Sequence, residues 1–88
     1  MKQTLLNLGF VPVTGFAFLA DAVEYKIHNP LAKTCYIYQV VADKHQVESH
    51  KVERCIRHCV KISDNEFRNK KAGIVIASLA IKLGGKFL

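Results

Sequence analysis

With 88 residues, half of them apolar, the chain can bury one modest hydrophobic core and is too apolar to remain disordered. Its net charge of +6 is unevenly placed: residues 1–43 hold three lysines and three acids, whereas residues 44–88 hold ten lysines and arginines against four acids. A half that packs and a half that meets a polyanion is the division this implies, while an odd count of three cysteines argues against a disulfide scaffold and for a reducing, cytoplasmic setting.

In chain order, Met1 to Ala20 has the outline of an export signal, one lysine and then an apolar run ending near Ala20-Asp21-Ala22. Asn7, Gly9, Pro12, Thr14 and Gly15 interrupt that run where a signal core is continuous. A short helix from Lys2 to Leu8, closed by Gly9, is expected instead. Pro12 and Gly15 mark a turn, with Thr14 as the N-cap of a second helix. Phe16, Leu19, Ala20, Val23 and Ile27 recur there at helical spacing, and Asn29-Pro30 should stop the helix near His28.

Lys33 to Ala42, KTCYIYQVVA, is rich in β-branched and aromatic residues and by propensity alone is a strand; a helix burying Ile37, Val40 and Val41 is the alternative. His45-Gln46-Val47 separates it from HKVERCIRHCVK, His50 to Lys61. On a helical wheel Val52, Cys55, Ile56, Cys59 and Val60, with Ile62 beyond, gather on one side. His50, Lys51, Arg54, Arg57, His58 and Lys61 gather on the other, with Glu53 the only acid among them. The first arc holds the helix to a core and the second faces water or a polyanion. A metal site built from Cys55 and Cys59 with His45, His50 or His58 is not expected, because C-x3-C is not a zinc-ribbon spacing and the helical histidines point away from the cysteines.

Ser63-Asp64-Asn65 is a loop, and Glu66 to Lys71 is polar and basic. Ala72 to Leu83 is nearly all apolar, too short to span a bilayer, and is expected to form a buried last helix before Gly84-Gly85 and a basic tail. No internal repeat or low-complexity segment is present.

If Lys33 to Ile62 is two helices joined by a tight turn, Ala42 sits where the helices cross, Val47 tucks into the turn, and Val52 and Cys55 face inward. That is the packing pattern of the helix-turn-helix, whose second helix enters the major groove of DNA. Two positions depart from it: Gln46 stands where a positive φ usually calls for glycine, and His45 where an apolar residue is usual.

VERCIRHCVKI, Val52 to Ile62, resembles the recognition helix of the C-terminal DNA-binding domain of the stage-zero sporulation protein A family of endospore-forming Firmicutes. The likeness runs back through Lys44, Ala42, Tyr38 and Thr34, through GFAFLADAV (Gly15 to Val23) and LLNLGFVP (Leu5 to Pro12), and reappears in IASLAIKL (Ile76 to Leu83). The resemblance implies a small all-α domain of about five helices over residues 1–88, its helix-turn-helix at about 33–62, and a helix for Lys33 to Ala42. It further implies a sequence-specific regulator of transcription that inserts helix 49–62 into the major groove. Lys51, Glu53, Arg54, Arg57 and His58 match the family's DNA-contacting positions. Lys51 and Arg54 suit guanine edges and Glu53 a cytosine amino group, while His50, Arg57, His58 and Lys61 suit the backbone.

Three departures accompany the likeness. Lys51 replaces an arginine, giving a point charge for a bidentate fork. Glu48 replaces a hydroxyl residue at the N-cap, and the segment before the last helix lacks most of the family's penultimate helix. Double-stranded DNA is the expected partner, with a homodimer on tandem sites. No membrane, cofactor, metal or small-molecule substrate is expected. These 88 residues contain no receiver domain to be phosphorylated. No carboxylate pair, nucleophile–base pair or phosphate-cradling loop suggests an enzyme. The alternative function is a protein-interaction module that keeps the fold and binds or antagonises another regulator.

Overall fold

Two of the helices end in the same backbone device. The computed structural model describes the backbone of residues 1–87 and the side chains of residues 1–84. Among these residues there are five helices and no strand: α1 Lys2–Asn7, α2 Thr14–His28, α3 Thr34–His45, α4 Ser49–Ile62 and α5 Ala72–Phe87. After α1 the Phe10 N–H donates to the Leu5 carbonyl at 3.1 Å and the Gly9 N–H to that of Leu6 at 3.0 Å, the paired bonds of a Schellman closure. Gly9 sits at φ 93, which only glycine adopts cheaply. Leu5 and Phe10 both end up buried, completing the closure with an apolar contact.

The N-cap of α2 is Val13 rather than Thr14, which enters the first turn and makes no side-chain cap bond. The Val13 carbonyl instead accepts from the Phe16 N–H at 2.8 Å. Gly15, in the first turn of α2, lies against the backbone of Cys55 in α4. Phe16, Phe18, Leu19, Ala22, Val23 and Ile27 are all buried and point in several directions around α2. Such a helix belongs in the middle of a fold, and α2 packs against α4, α5, α3 and α1.

The resemblance, and not propensity, is right about α3. As a strand, alternate residues would put Gln39 on one face with Ile37 and Val41. As a helix, Ile37, Val41 and Ala42 are buried together while Gln39 stays exposed, and Val40 is half-buried rather than buried. Burying a coherent apolar face outweighs a preference that spans only about 1 kcal/mol per residue.

No helix forms between α4 and α5; residues 63–71 are turns. Ser63, fully buried, accepts a hydrogen bond from the Val11 N–H at 3.0 Å and donates one to the Cys59 carbonyl at 2.6 Å. The Cys59 thiol donates to the Val11 carbonyl at 3.4 Å. Asn65 donates to the Leu8 carbonyl at 3.1 Å, and Phe67 stacks on Phe10 with centroids 5.9 Å apart. The connection is therefore strapped over the α1–α2 loop. In α5, Ala72, Val75, Ile76, Leu79 and Leu83 are buried. The helix then continues through Gly84 and Gly85 to Phe87 instead of stopping at the glycines. A helical glycine costs only about 1 kcal/mol relative to alanine, and no proline follows to force a break. No described helix is long and apolar enough to cross a membrane.

Candidate nucleic-acid interface

The turn before α4 sets its direction. The Val47 N–H donates to the Ala42 carbonyl at 3.0 Å and the Gln46 N–H to that of Asp43 at 3.4 Å, the pattern that closes α1. Gln46 itself lies at φ 57, ψ 45, so a glutamine does occupy the left-handed position. A non-glycine there costs on the order of 1 kcal/mol. Ala42 is fully buried and Val47 packs on the core, as the helix-turn-helix pattern requires.

His45, where an apolar side chain is usual, is accommodated by a polar partner. Its Nε2 lies 2.6 Å from Asp21 Oδ2 and its ring meets Phe18 edge-on at 4.9 Å. Lys44 reaches the other oxygen of Asp21 at 3.2 Å. Asp21 thus ties the end of α3 to α2. The sequence reading missed it, although a lone acid inside the apolar run of α2 is a signal that it has a partner.

In α4 the apolar and cationic arcs separate as expected, with two corrections at the edges. Val52, Ile56, Cys59 and Val60 are buried, Cys55 is only half-buried, and Ile62 is 40% exposed and so lies outside the apolar face. At 100° per residue Cys55 and Ile62 fall on the margin of the arc, beyond the reach of the core. Glu48 occupies the N-cap without capping the helix, and its carboxylate meets His50 at 3.0 Å.

His50, Lys51, Arg54, Arg57, His58 and Lys61 are all exposed. Apart from His50, which meets Glu48, they divide into two groups. Arg57 pairs with Glu53 at 3.6 Å, one turn apart, on the side facing α3, where Tyr38 stands. Burial raises the Tyr38 hydroxyl to about 12; the Glu53 carboxylate adds to the shift and Arg57 opposes it, so the three groups share one neighbourhood. Glu53 is half-buried there. Lys51, Arg54, His58 and Lys61 form the second group, a single stripe at spacings of three, four and three. None of these four has an ion-pair partner among the described residues. Arg54 and His58 also line a shallow groove against Val13, Thr14 and Gly15 at the start of α2.

Chemically, the face can bind anions through the unpaired cations Lys51, Arg54 and Lys61, with the His58 imidazole beside them, and can accept a hydrogen bond at Glu53. Among the described residues no group of three or more histidines, cysteines or acids is placed to hold a metal ion. The family model described as "Sporulation initiation factor Spo0A C terminal" matches residues 1–79. No curated protein and no solved structure matches the chain. The match covers the basic face of α4, the turn before it and the helices that hold both; the chain belongs to the Spo0A C-terminal family, the DNA-binding effector domains of sporulation regulators.

Proposed function

We propose that residues 1–88 act as one helix-turn-helix domain, with the motif at 33–62, that binds double-stranded DNA sequence-specifically and regulates transcription. Helix α4 enters the major groove. Lys51, Glu53 and Arg54, in its first turns, meet base edges, and His50, Arg57, His58 and Lys61 meet the backbone. The observation that carries this reading is the stripe Lys51, Arg54, His58 and Lys61 without carboxylate partners, on a helix whose opposite face is locked into the core. Unpaired cations keep their charge for phosphates, and a rigid helix presents its side chains in fixed register.

One module of this size covers about 600–1,000 Å² of DNA, so useful affinity calls for two copies on tandem sites about one helical turn apart. The protein would act in the cytoplasm, with no small-molecule substrate. Selection of bound duplexes from a random pool tests the reading, followed by salt titration on the selected site. A recovered consensus and an affinity falling at roughly 0.9 log units per log unit of salt for each phosphate neutralised support it. A pool without consensus, or a flat salt response, refutes it.

A further inference from the structure

Leu31 is 96% exposed and Ile81 84% exposed, more than any other large apolar side chain among the described residues. Both lie away from the α4 stripe and belong to one surface. Pro30 and Ile81 line a groove between the end of α2 and α5, together with Ala77 and Ala80. Pro30 and Leu31 line an adjoining groove that reaches Tyr36 on α3. Ile74, also exposed, continues the apolar track along α5, since residues 74, 77 and 81 share one helical face.

The residues that line the two grooves carry charge of one sign. Neither groove is lined by an acid, and Lys26 and Lys33 stand along them. Lys26 donates to the Ala32 carbonyl at 2.8 Å, which fixes its ammonium at the rim. A track of exposed leucine and isoleucine bordered by cations is costly to leave in water, and a second copy of the same surface would bring only further cations to it.

We propose that this surface docks an amphipathic helix of another protein whose apolar face is bordered by aspartate and glutamate. Neither groove shares a lining residue with the α4 stripe, so DNA and this partner can be held together. The partner helix lays apolar residues at spacings of three and four on Leu31, Ala77 and Ile81, and its acids meet Lys26 and Lys33.

The test pans a displayed library of helical peptides against the intact chain. Leucines are fixed at helical spacing, and Asp, Glu, Lys, Arg and Ser are free elsewhere. Enrichment of net-negative peptides that bind the Leu31→Ser/Ile81→Ser variant at least tenfold more weakly supports the proposal, with circular dichroism and duplex binding of the variant unchanged. Enrichment of neutral or net-positive peptides, no enrichment, or equal binding to the variant overturns it. Two further results overturn it in favour of another occupant. One is a dimer in sedimentation that Ile81→Ser dissolves. The other is binding of the chain to anionic phospholipid vesicles that the double variant abolishes.

Discussion

Gly15 and Cys55 meet backbone to backbone, and a Cβ built on Gly15 would overlap the Cys55 carbonyl oxygen outright. This contact sets the distance between the central helix α2 and α4. Any side chain at position 15 must push α4 outward, because a backbone carbonyl cannot turn aside as a flexible side chain does.

Gly15→Ala is therefore expected to cost about 3 kcal/mol, the upper end of overpacking, and to lower Tm by more than about 10 °C. Gly73→Ala is the control. Its Cβ would meet only the Thr34 side chain, at 3.3 Å, and the gain in helix propensity offsets that crowding. Equal losses in thermal melts of the two variants would show that the backbone contact is not what fixes α4.

Gln46→Gly is expected to stabilise the protein by about 0.5–1 kcal/mol, because glycine occupies φ 57 without the clash that glutamine bears. The gain is smaller than the strain relieved, since glycine also loosens the unfolded chain. A fall in the urea midpoint would mean that the Gln46 side chain makes a favourable contact of its own.

How much of this was legible in the sequence follows from the range of the interactions. The period of α4 separates Val52, Ile56, Cys59 and Val60 from the cations within one short stretch, so its buried face and exposed arc are visible locally. Local preference misleads at α3, where Tyr36, Ile37, Tyr38, Val40 and Val41 suggest a strand until the whole fold decides which of them are buried. Pattern rules also look for glycine at a left-handed turn and for a hydroxyl or acid at an N-cap, and here Gln46 and Val13 hold those positions. Asp21 and Ser63 are harder still. Their partners, His45 and Val11, lie 24 and 52 residues away, and no spacing rule reaches that far. Within the candidate interface, the cations themselves are legible, but the pairing of Arg57 with Glu53, which leaves Lys51, Arg54, His58 and Lys61 as the unpaired stripe, needs the geometry.

The thiols of Cys35 and Cys59 should react on different schedules. Cys35 is exposed, whereas Cys59 is buried and burial pushes its thiol above the usual range. An aromatic disulfide reagent should label Cys35 promptly and Cys59 only as the molecule opens. Cys59→Ala should cost about 1 kcal/mol and leave the fold intact, as expected for a small core residue. Prompt labelling of Cys59 in the folded protein would place it elsewhere.

Alkaline stability should depend on Tyr38. Burial first, and the Glu53 carboxylate second, raise its hydroxyl from 10.0 to about 12. The folded state holds this proton more tightly than the unfolded chain does, so stability falls wherever the unfolded state has released it and the folded state has not. The contribution is complete below pH about 10 and drains away as pH rises toward about 12. Urea midpoints across that window should fall less steeply for Tyr38→Phe than for the parent; identical slopes would mean the hydroxyl titrates freely.

The role of Glu53 is the sharpest question on α4. A carboxylate near DNA is repelled by phosphates, so its place among cations needs a reason. Two are available. The ion pair with Arg57 at 3.6 Å is one, worth only a few tenths of a kcal/mol at a surface. Accepting a hydrogen bond from a cytosine amino group is the other, worth about 1–3 kcal/mol of discrimination at one base pair. Mutation separates them. If Glu53 reads a base, Glu53→Ala relaxes the preference at that position by the larger amount, while binding to random duplex holds or tightens because a repulsive charge has gone. If it only pairs with Arg57, specificity is unchanged. The stripe supplies the internal comparison: Arg54→Ala should weaken the specific site far more than random DNA, whereas Lys61→Ala should weaken both alike. Equal losses for Arg54→Ala and Lys61→Ala on both kinds of duplex would mean that α4 grips the backbone without reading sequence.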